Sequence, residues 1–392
     1  AGKLLALAAS ETISSYFFGV VPLFVLMGNV VSATGMGEDA YDVANQAFRK
    51  IKGGLAIGTV GANAVFAAIT GISIASAAVF TKIAVPHMIR FGYTPRFSVG
   101  VVAGSSVLGM LIPPSLLLIL YGILTEQSVG DLFVAAIIPG ILLATVFGIG
   151  IFILSFFWSS LVFREDSTGN TQIELIKFSD FFWKSVPLIF LIVLVLGGIY
   201  GGFFTPIEAG AIGSLGAVIV GLFKRRLSFK ILWEVLVETG YITAAISFLI
   251  IAAQMYSRML ALSGMPAEFG SFVVGSEFSI MTIIILYIIL VIVMGTILDS
   301  GSIMLILVPL MYPILVSLNI DLIWFGIVTV IAVEVGLLTP PLGISVFVIK
   351  SSLEDKSISL GDIFLGAAPF AIMMVAVLFL VIAFPILTTA LL

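Results

Sequence analysis

The sequence predicts an all-α polytopic membrane protein made of two inverted repeats, each with a re-entrant helical hairpin and a helix broken at a Pro-Pro pair. Three observations predict it. The 392 residues are 61% hydrophobic and 10% charged, with a mean hydropathy of +1.28, whereas a soluble chain carries roughly 25% charged residues. The few charges cluster between long, continuous apolar runs, as helices that cross a hydrocarbon core of about 30 Å require; β-barrel strands would instead alternate in segments of about ten residues. Finally, the second half repeats marked positions of the first.

Taken in order, Lys3 to Ser14 is interrupted by polar residues too often for a span and predicts an amphipathic, interfacial helix. Apolar segments follow at Tyr16–Ala33, Gly54–Val85, Phe97–Leu124, Leu132–Phe163, Phe182–Tyr200, Phe204–Phe223 and Val235–Leu262, then at Ile280–Leu318, Leu322–Ile349 and Ile363–Leu392. Small polar residues or prolines divide three of them, giving about a dozen helical pieces. Residues 1–163 form the first repeat, with its hairpin at about 54–85 and its broken helix at about 97–124. The polar stretch 164–180 is the linker. Residues 181–392 form the second repeat, with its hairpin at about 280–318 and its broken helix at about 322–349.

The repeat rests on register. Residues 109–115 read GMLIPPS and residues 336–342 read GLLTPPL, an offset of 336 − 109 = 227 that also carries Pro86 onto Pro313. Asp131-Leu132-Phe133 finds its counterpart at Asp362-Ile363-Phe364 after a short insertion, and residues 68–73 lie opposite residues 295–300 with a slip of about one residue. Charge then orients each copy. Arg49, Lys50, Lys52, Lys82, Arg90 and Arg96 flank the first hairpin, whereas Glu268, Glu277 and Asp321 flank the second. By the positive-inside rule the first begins and ends in the cytoplasm and the second outside, so the copies are inverted. Lys177, Lys184, Lys224-Arg225-Arg226, Lys230, Lys350 and Lys356 then fall inside, and Glu126 and Asp131 outside.

Composition excludes several chemistries. There is no cysteine, so disulfides, thiolate chemistry and Cys-ligated metals are ruled out. The single histidine, His87, follows a proline beside Arg90 and reads as a membrane-edge residue. No HExxH, Cys/His pair or Walker GxxxxGK[ST] occurs, which argues against an enzyme or an ATPase within the chain. Nothing points to nucleic acid or to an organic cofactor.

Function would sit where helices break, because irregular backbone at membrane depth is tolerated only inside protein or beside a watery cavity. The candidate positions are the hairpin tips, Thr70 to Ser76 and Gly295 to Ser302, and the pairs Pro113-Pro114 and Pro340-Pro341. Consecutive prolines free carbonyls that suit Na⁺, while helix N-termini offer N–H groups to a carboxylate. Either motif alone could be a plain kink or a small-residue packing contact. Asp299 lies in so apolar a run that ion ligation or a buried cap must offset its cost. Glu334 invites the same argument. Glu208 could cap a helix after Pro206, and Arg258 reads as a snorkelling or interhelical residue.

Seven stretches together resemble the large membrane subunit, DctM-like, of the tripartite ATP-independent periplasmic (TRAP) transporters. They are VPLFVLMGNVVSATGMG (21–37), GGLAIGTVGANAVFAAITG (53–71), GSSVLGMLIPPSLLLILYG (104–122), DLFVAAIIPG (131–140), GGFFTPIEAGAIG (201–213), MGTILDSGSIMLILVPLMYP (294–313) and GLLTPPLGISVF (336–347). The family pattern has further hydrophobic sequence ahead of this beginning, about one helix long. The resemblance implies an elevator-type ion-transporter fold and Na⁺-coupled import of an organic acid across the bacterial inner membrane. The acid would be sialic acid, another sugar acid or a C4-dicarboxylate. It also implies a small four-helix membrane subunit and a periplasmic substrate-binding protein as partners. Carried over residue by residue, it places Na⁺ at Ser73, Ser76, Gly295, Gly336 and Thr339, and a further ion near Asp299, Ser300, Pro113 and Pro114. Substrate contacts would be Thr70, Gly71, Ser73, Ser115, Ser300, Gly301, Ser302, Pro340 and Pro341. A passive channel or a non-transporting structural subunit is the competing reading; a channel would need a continuous pore, often ringed by charge.

Overall fold

The computed structural model describes residues 19–164, 177–264 and 279–392, together with Ser10 and Glu268. The expected interfacial helix at 3–14 (Ser10 aside), most of the linker and Glu277 lie outside the described residues. Within them the secondary structure is helical, apart from one isolated bridge between Tyr93 and Phe163.

The first half begins with α1 (Val20–Ala33) and α2 (Met36–Phe48), which meet at a bend of 69°. Gly35 makes the bend with φ +69°, a conformation open to glycine at little cost. Next come α3 (Gly54–Thr70) and α4 (Ser73–Arg90), then α5 (Pro95–Ser106), α6 (Leu108–Leu111), α7 (Leu116–Thr125) and α8 (Val129–Phe157). The second half contains α9 (Phe178–Tyr200, with a π-helical stretch at Val193–Gly197), α10 (Pro206–Phe223) and α11 (Phe229–Ser263). It ends with α12 (Ile280–Gly295), α13 (Ser300–Ser317), α14 (Leu322–Leu337), α15 (Ile344–Ser352) and α16 (Leu360–Ala383), followed by a short turn of helix.

The offset of 227 recurs in the helix boundaries. It carries the first residue of α4, Ser73, onto the first residue of α13, Ser300, and both helices are 18 residues long. The start of α5 at Pro95 maps onto the start of α14 at Leu322, and the N-cap Thr94 onto the N-cap Asp321. Each cap side chain accepts from the first turn: Thr94 from Phe97 N–H at 3.3 Å, Asp321 from Ile323 N–H at 2.8 Å and Trp324 N–H at 3.0 Å. Both Pro-Pro bonds are cis. The halves differ at the hairpin tips. Gly71 and Ile72 separate α3 from α4, whereas Thr296 to Asp299 separate α12 from α13. The second tip is therefore longer by two residues, where one was expected.

Two further differences have a simple cause. α4 runs through Pro86 to Arg90 instead of stopping at Val85, and α13 contains Pro309 and Pro313. A proline deletes one helical hydrogen bond, a loss that neighbouring helices in a bundle can accommodate.

Burial runs opposite ways in the two classes of helix. From Trp324 to Leu337 every residue of α14 is buried, and so is every residue of α5 from Phe97 to Ser106. A helix apolar all round belongs in the middle, and these two first halves of the broken helices occupy it. By contrast, α8 to α11 turn large apolar side chains outward, including Phe156, Phe157, Trp183, Phe190, Tyr241 and Phe248. Soluble monomers rarely expose such a surface; for a hydrocarbon solvent it is the expected one. Seven described spans are long and apolar enough to cross a bilayer, six of them single helices and one the broken helix of α5 to α7 (Pro95–Thr125), and this is a multi-pass membrane protein. At 17 and 16 residues, α3 and α12 reach only about 25 Å, short of a roughly 30 Å core.

Ion pairs fasten α2 to the second half. Asp39, with its side chain 1% exposed, pairs with Lys224 and, at 2.9 Å, with Arg226. Asp42 pairs with Lys184. Basic residues that the sequence assigned to one side of the membrane thus converge on one helix.

Candidate functional site

Each hairpin tip is stitched to the break of its own repeat. In the first half the carbonyl of Gly71 accepts the backbone N–H of Leu116 at 3.2 Å. Gly71 has φ +66°, and a Cβ there would lie 2.3 Å from the carbonyl oxygen of Pro114, so both the backbone and the close approach demand glycine. In the second half the carbonyl of Thr296 accepts from Leu342 N–H at 3.1 Å and Gly343 N–H at 3.2 Å. Leu116 and Gly343 are again 343 − 116 = 227 residues apart.

Each hairpin also reaches into the opposite repeat. α4 packs against α15, and α13 packs against α7. The most pointed of these cross-contacts is polar: the Ser73 hydroxyl donates to Oε1 of Glu334 at 3.5 Å. Ser73 opens α4, and Glu334 lies near the end of α14. Both are buried, Glu334 at 1% exposure. Its other oxygen, Oε2, has no hydrogen-bond partner, and neither has the buried hydroxyl of Ser76 one turn along α4.

The predicted ion ligands fall into three settings. Ser73 and Ser76 belong to the group just described. Gly295 and Gly336 form a backbone-to-backbone crossing of α12 and α14, where a Cβ on residue 336 would lie 2.6 Å from the Cα of Gly295. Thr339 is half-buried beyond that crossing and spends its proton on the Val335 carbonyl at 2.7 Å, which leaves hydroxyl lone pairs unspent. Asp299 is the N-cap of α13: its carboxylate accepts from Ser302 N–H at 3.0 Å and from the Ser302 hydroxyl. Of the two roles expected for it, the geometry displays the cap. Ser300 is the first residue of that helix and is buried, while Gly301 and Ser302 are half-buried.

The remaining predicted residues are placed unequally. Thr70 is buried and donates to its own helix at Phe66 O, 2.9 Å away. Ser115 is committed to the break itself, donating to the Met110 carbonyl and accepting from Leu118 N–H at 3.2 Å. Pro113 and Pro114 are buried, but Pro340 and Pro341 are exposed. Two residues stand out that were not assigned to the site. Glu334 was noticed only as an acid in an apolar run. Ser345, buried in the first turn of α15 with its hydroxyl unpartnered, carries no repeat signal because residue 118 at its offset is leucine.

Electrostatics follow from this inventory. A carboxylate at the centre of a membrane helix costs about 2.5–3.5 kcal/mol on insertion scales. A helix N-terminus returns at most about 2 kcal/mol. Among the described residues no Lys or Arg pairs with Glu334 or Asp299. No group of three or more His, Cys, Asp or Glu able to hold a metal occurs among them either. The described oxygens here are hard and carry low total charge, a set that fits a monovalent cation better than a divalent one. A groove of ≈ 630 Å³ lies along the π-helical stretch of α9. Its side chains, among them Val186, Phe190, Val193 and Phe204, are all apolar and offer an organic acid nothing.

Known proteins share this architecture. The Alcanivorax borkumensis YdaH transporter aligns over 95% of this chain and 87% of its own, with a TM-score of 0.61 at 15% identity. In sequence, the chain is 32% identical over 390 residues to the C4-dicarboxylate TRAP transporter large permease protein DctM of Pseudomonas aeruginosa, covering 99% of this chain and 89% of that one. It is 28% identical to the sialic acid TRAP transporter large permease protein SiaM of Vibrio cholerae, covering 95% and 85%. With residues 1–387 matching the family described as the DctM component of the tripartite ATP-independent periplasmic transporter, the chain belongs to that family of transporter permeases.

Proposed function

We propose that the chain is a Na⁺-driven importer of an organic acid in the bacterial inner membrane, moving its substrate by an elevator mechanism. In this reading the two hairpins and the two broken helices move as one body against the outer helices. The observation that carries it is the pair of acids at the hairpin-helix starts, Glu334 beside Ser73 and Asp299 capping α13, with no Lys or Arg paired to either among the described residues. Were these acids ionised, a substrate carboxylate entering here would add to their negative charge. Bound cations would have to offset it, so anion and cation travel together. The interlocked contacts of each hairpin with its own break and with the opposite repeat support motion of these elements as a unit.

The partners in this proposal are a small membrane subunit and a periplasmic binding protein that delivers the acid. Relatives carry names for C4-dicarboxylate, sialic acid and 2,3-diketo-L-gulonate transport, and the substrate here belongs to that class of organic acids. The test is uptake of a labelled sugar acid and a labelled dicarboxylate into proteoliposomes containing this chain and the small subunit. Binding protein is added outside, with and without an inward Na⁺ gradient. Uptake of one acid that requires both is the expected result. Flux indifferent to Na⁺ and to binding protein would reject the proposal in favour of a passive channel.

A further inference from the structure

We infer that Glu334 is the charged ligand of a monovalent-cation site that spans the two repeats, with the hydroxyls of Ser73 and Ser76 as its ligands from the first hairpin. The inference rests on the sodium-coupled reading above and adds to it the residue that supplies the charge.

Two side-chain groups with unused capacity, Glu334 and Ser73, meet in an apolar interior, and Ser76 follows one turn along the same helix as Ser73. Glu334 Oε2 and Ser76 Oγ have no partner, and the contact of Ser73 Oγ with Glu334 Oε1, at 3.5 Å, sits at the outer limit of a hydrogen bond. Buried polar groups are nearly always paired, so an unpartnered carboxylate oxygen beside a stretched contact, with an unpartnered hydroxyl one turn away, points to a ligand. Their chemistry selects its class. Every donor is oxygen, which excludes metals that favour nitrogen or sulfur. A single carboxylate gives the site one negative charge, which one monovalent ion neutralises, whereas Ca²⁺ sites gather several carboxylates among six to eight oxygens. Two residues beyond Glu334, Gly336 packs against Gly295 at the C-terminal end of α12, and the partial negative charge of a helix C-terminus also favours a cation.

The geography gives the site a purpose. Ser73 and Ser76 belong to the first repeat, while Glu334 belongs to the second. Without a cation, Glu334 faces the start of α4 with half of its carboxylate unmatched. With one, the first hairpin is clamped to the broken helix of the other half.

The experiment is a Na⁺ titration of the purified full chain in detergent. It is read as thermal stabilisation at constant ionic strength, with choline as the replacement cation and K⁺ as competitor, and as direct ²²Na⁺ binding. Wild type, Glu334→Gln, Glu334→Asp and Ser76→Ala are compared. The expected result is Na⁺ stabilisation of wild type, a half-saturating Na⁺ concentration raised at least about tenfold in Glu334→Gln, and a smaller rise in Ser76→Ala. Glutamine keeps the shape and removes the charge. Should Glu334 simply be a neutral carboxyl that bonds to Ser73, Glu334→Gln would bind Na⁺ as wild type does; that outcome overturns the inference and leaves sodium coupling standing. Should Glu334→Gln fail to fold, Glu334→Asp decides, since a shortened carboxylate must weaken Na⁺ binding, and unchanged affinity overturns the inference. A wild-type chain that neither binds ²²Na⁺ nor is stabilised by Na⁺ would remove the sodium-coupled reading as well.

Discussion

Gly295 and Gly336 touch backbone to backbone: a Cβ on residue 336 would lie 2.6 Å from the Cα of Gly295, and one on residue 295 would lie 2.8 Å from the Cα of Gly336. The last turn of α12 and the last turn of α14 therefore cross with nothing between them. Gly336→Ala forces them apart. Overpacking of this kind costs about 1–3 kcal/mol. The expected outcome is a lower unfolding temperature in detergent and uptake that needs more Na⁺, whereas Gly202→Ala, with nothing within 4 Å of its added Cβ, serves as a control with strain but no clash.

Asp299 separates cap from charge. Asparagine at 299 still accepts the Ser302 N–H, so Asp299→Asn should keep the thermal stability of the wild type. Alanine removes the cap and should cost about 1 kcal/mol. With Asp299 contributing to an ion site, both variants lose Na⁺-driven uptake, and the asparagine variant loses it without loss of fold. Uptake by Asp299→Asn at wild-type rate and Na⁺ dependence would assign the residue to capping alone.

Ser73→Ala and Thr339→Ala should each raise the Na⁺ concentration for half-maximal uptake severalfold, the scale of one lost ligand or hydrogen bond of about 1 kcal/mol. Ser115→Ala makes the contrast. Its hydroxyl is spent on Met110 and Leu118 across the first break, so its loss should lower stability while leaving the Na⁺ requirement of the folded fraction unchanged. Unaltered Na⁺ dependence in both Ser73→Ala and Thr339→Ala would withdraw these two positions from the ion site.

Asp39 tests the fastening of α2. Its buried carboxylate answers both Lys224 and Arg226, and removing one member of such a buried set costs about 3 kcal/mol. Asp39→Asn should lower the unfolding temperature by several degrees. Asp42→Asn, whose pair with Lys184 is about one-third exposed on each side, should change it by a degree or less, the scale of about 0.5 kcal/mol for a surface pair. Equal effects in the two variants would argue against a buried anchor at Asp39.

Much of this arrangement was legible because it is written into the backbone. Proline and glycine act on the chain wherever they stand, so the offset carried by Pro113-Pro114 and Pro340-Pro341 anticipated matched breaks. The caps at Thr94 and Asp321 and the helix starts at Ser73 and Ser300 keep the same register without having been singled out in the sequence. Partnerships across the repeats were not legible. Nothing in the spacing of 334 − 73 = 261 residues indicates that Glu334 meets Ser73. That contact depends on how α4 and α14 pack, and many registers of two apolar helices bury the same area. Ser345 was missed because residue 118, its counterpart in the first repeat, is leucine. Asp299 shows the opposite limit: an acid in an apolar run announces that something must answer it, but a cap three residues away and a distant ion make the same announcement.

The two double-proline breaks are alike in sequence and differ in surroundings, since Pro113 and Pro114 are enclosed while Pro340, Pro341 and Leu342 face outward. The chain has no cysteine of its own, so a thiol introduced at position 342 would be the sole target for a water-soluble maleimide, and one at position 115 would be shielded. The pair forms a two-channel reporter. Any motion that trades the exposure of one break for the other would appear as labelling rates that rise and fall in opposition, readable in intact cells without purifying anything.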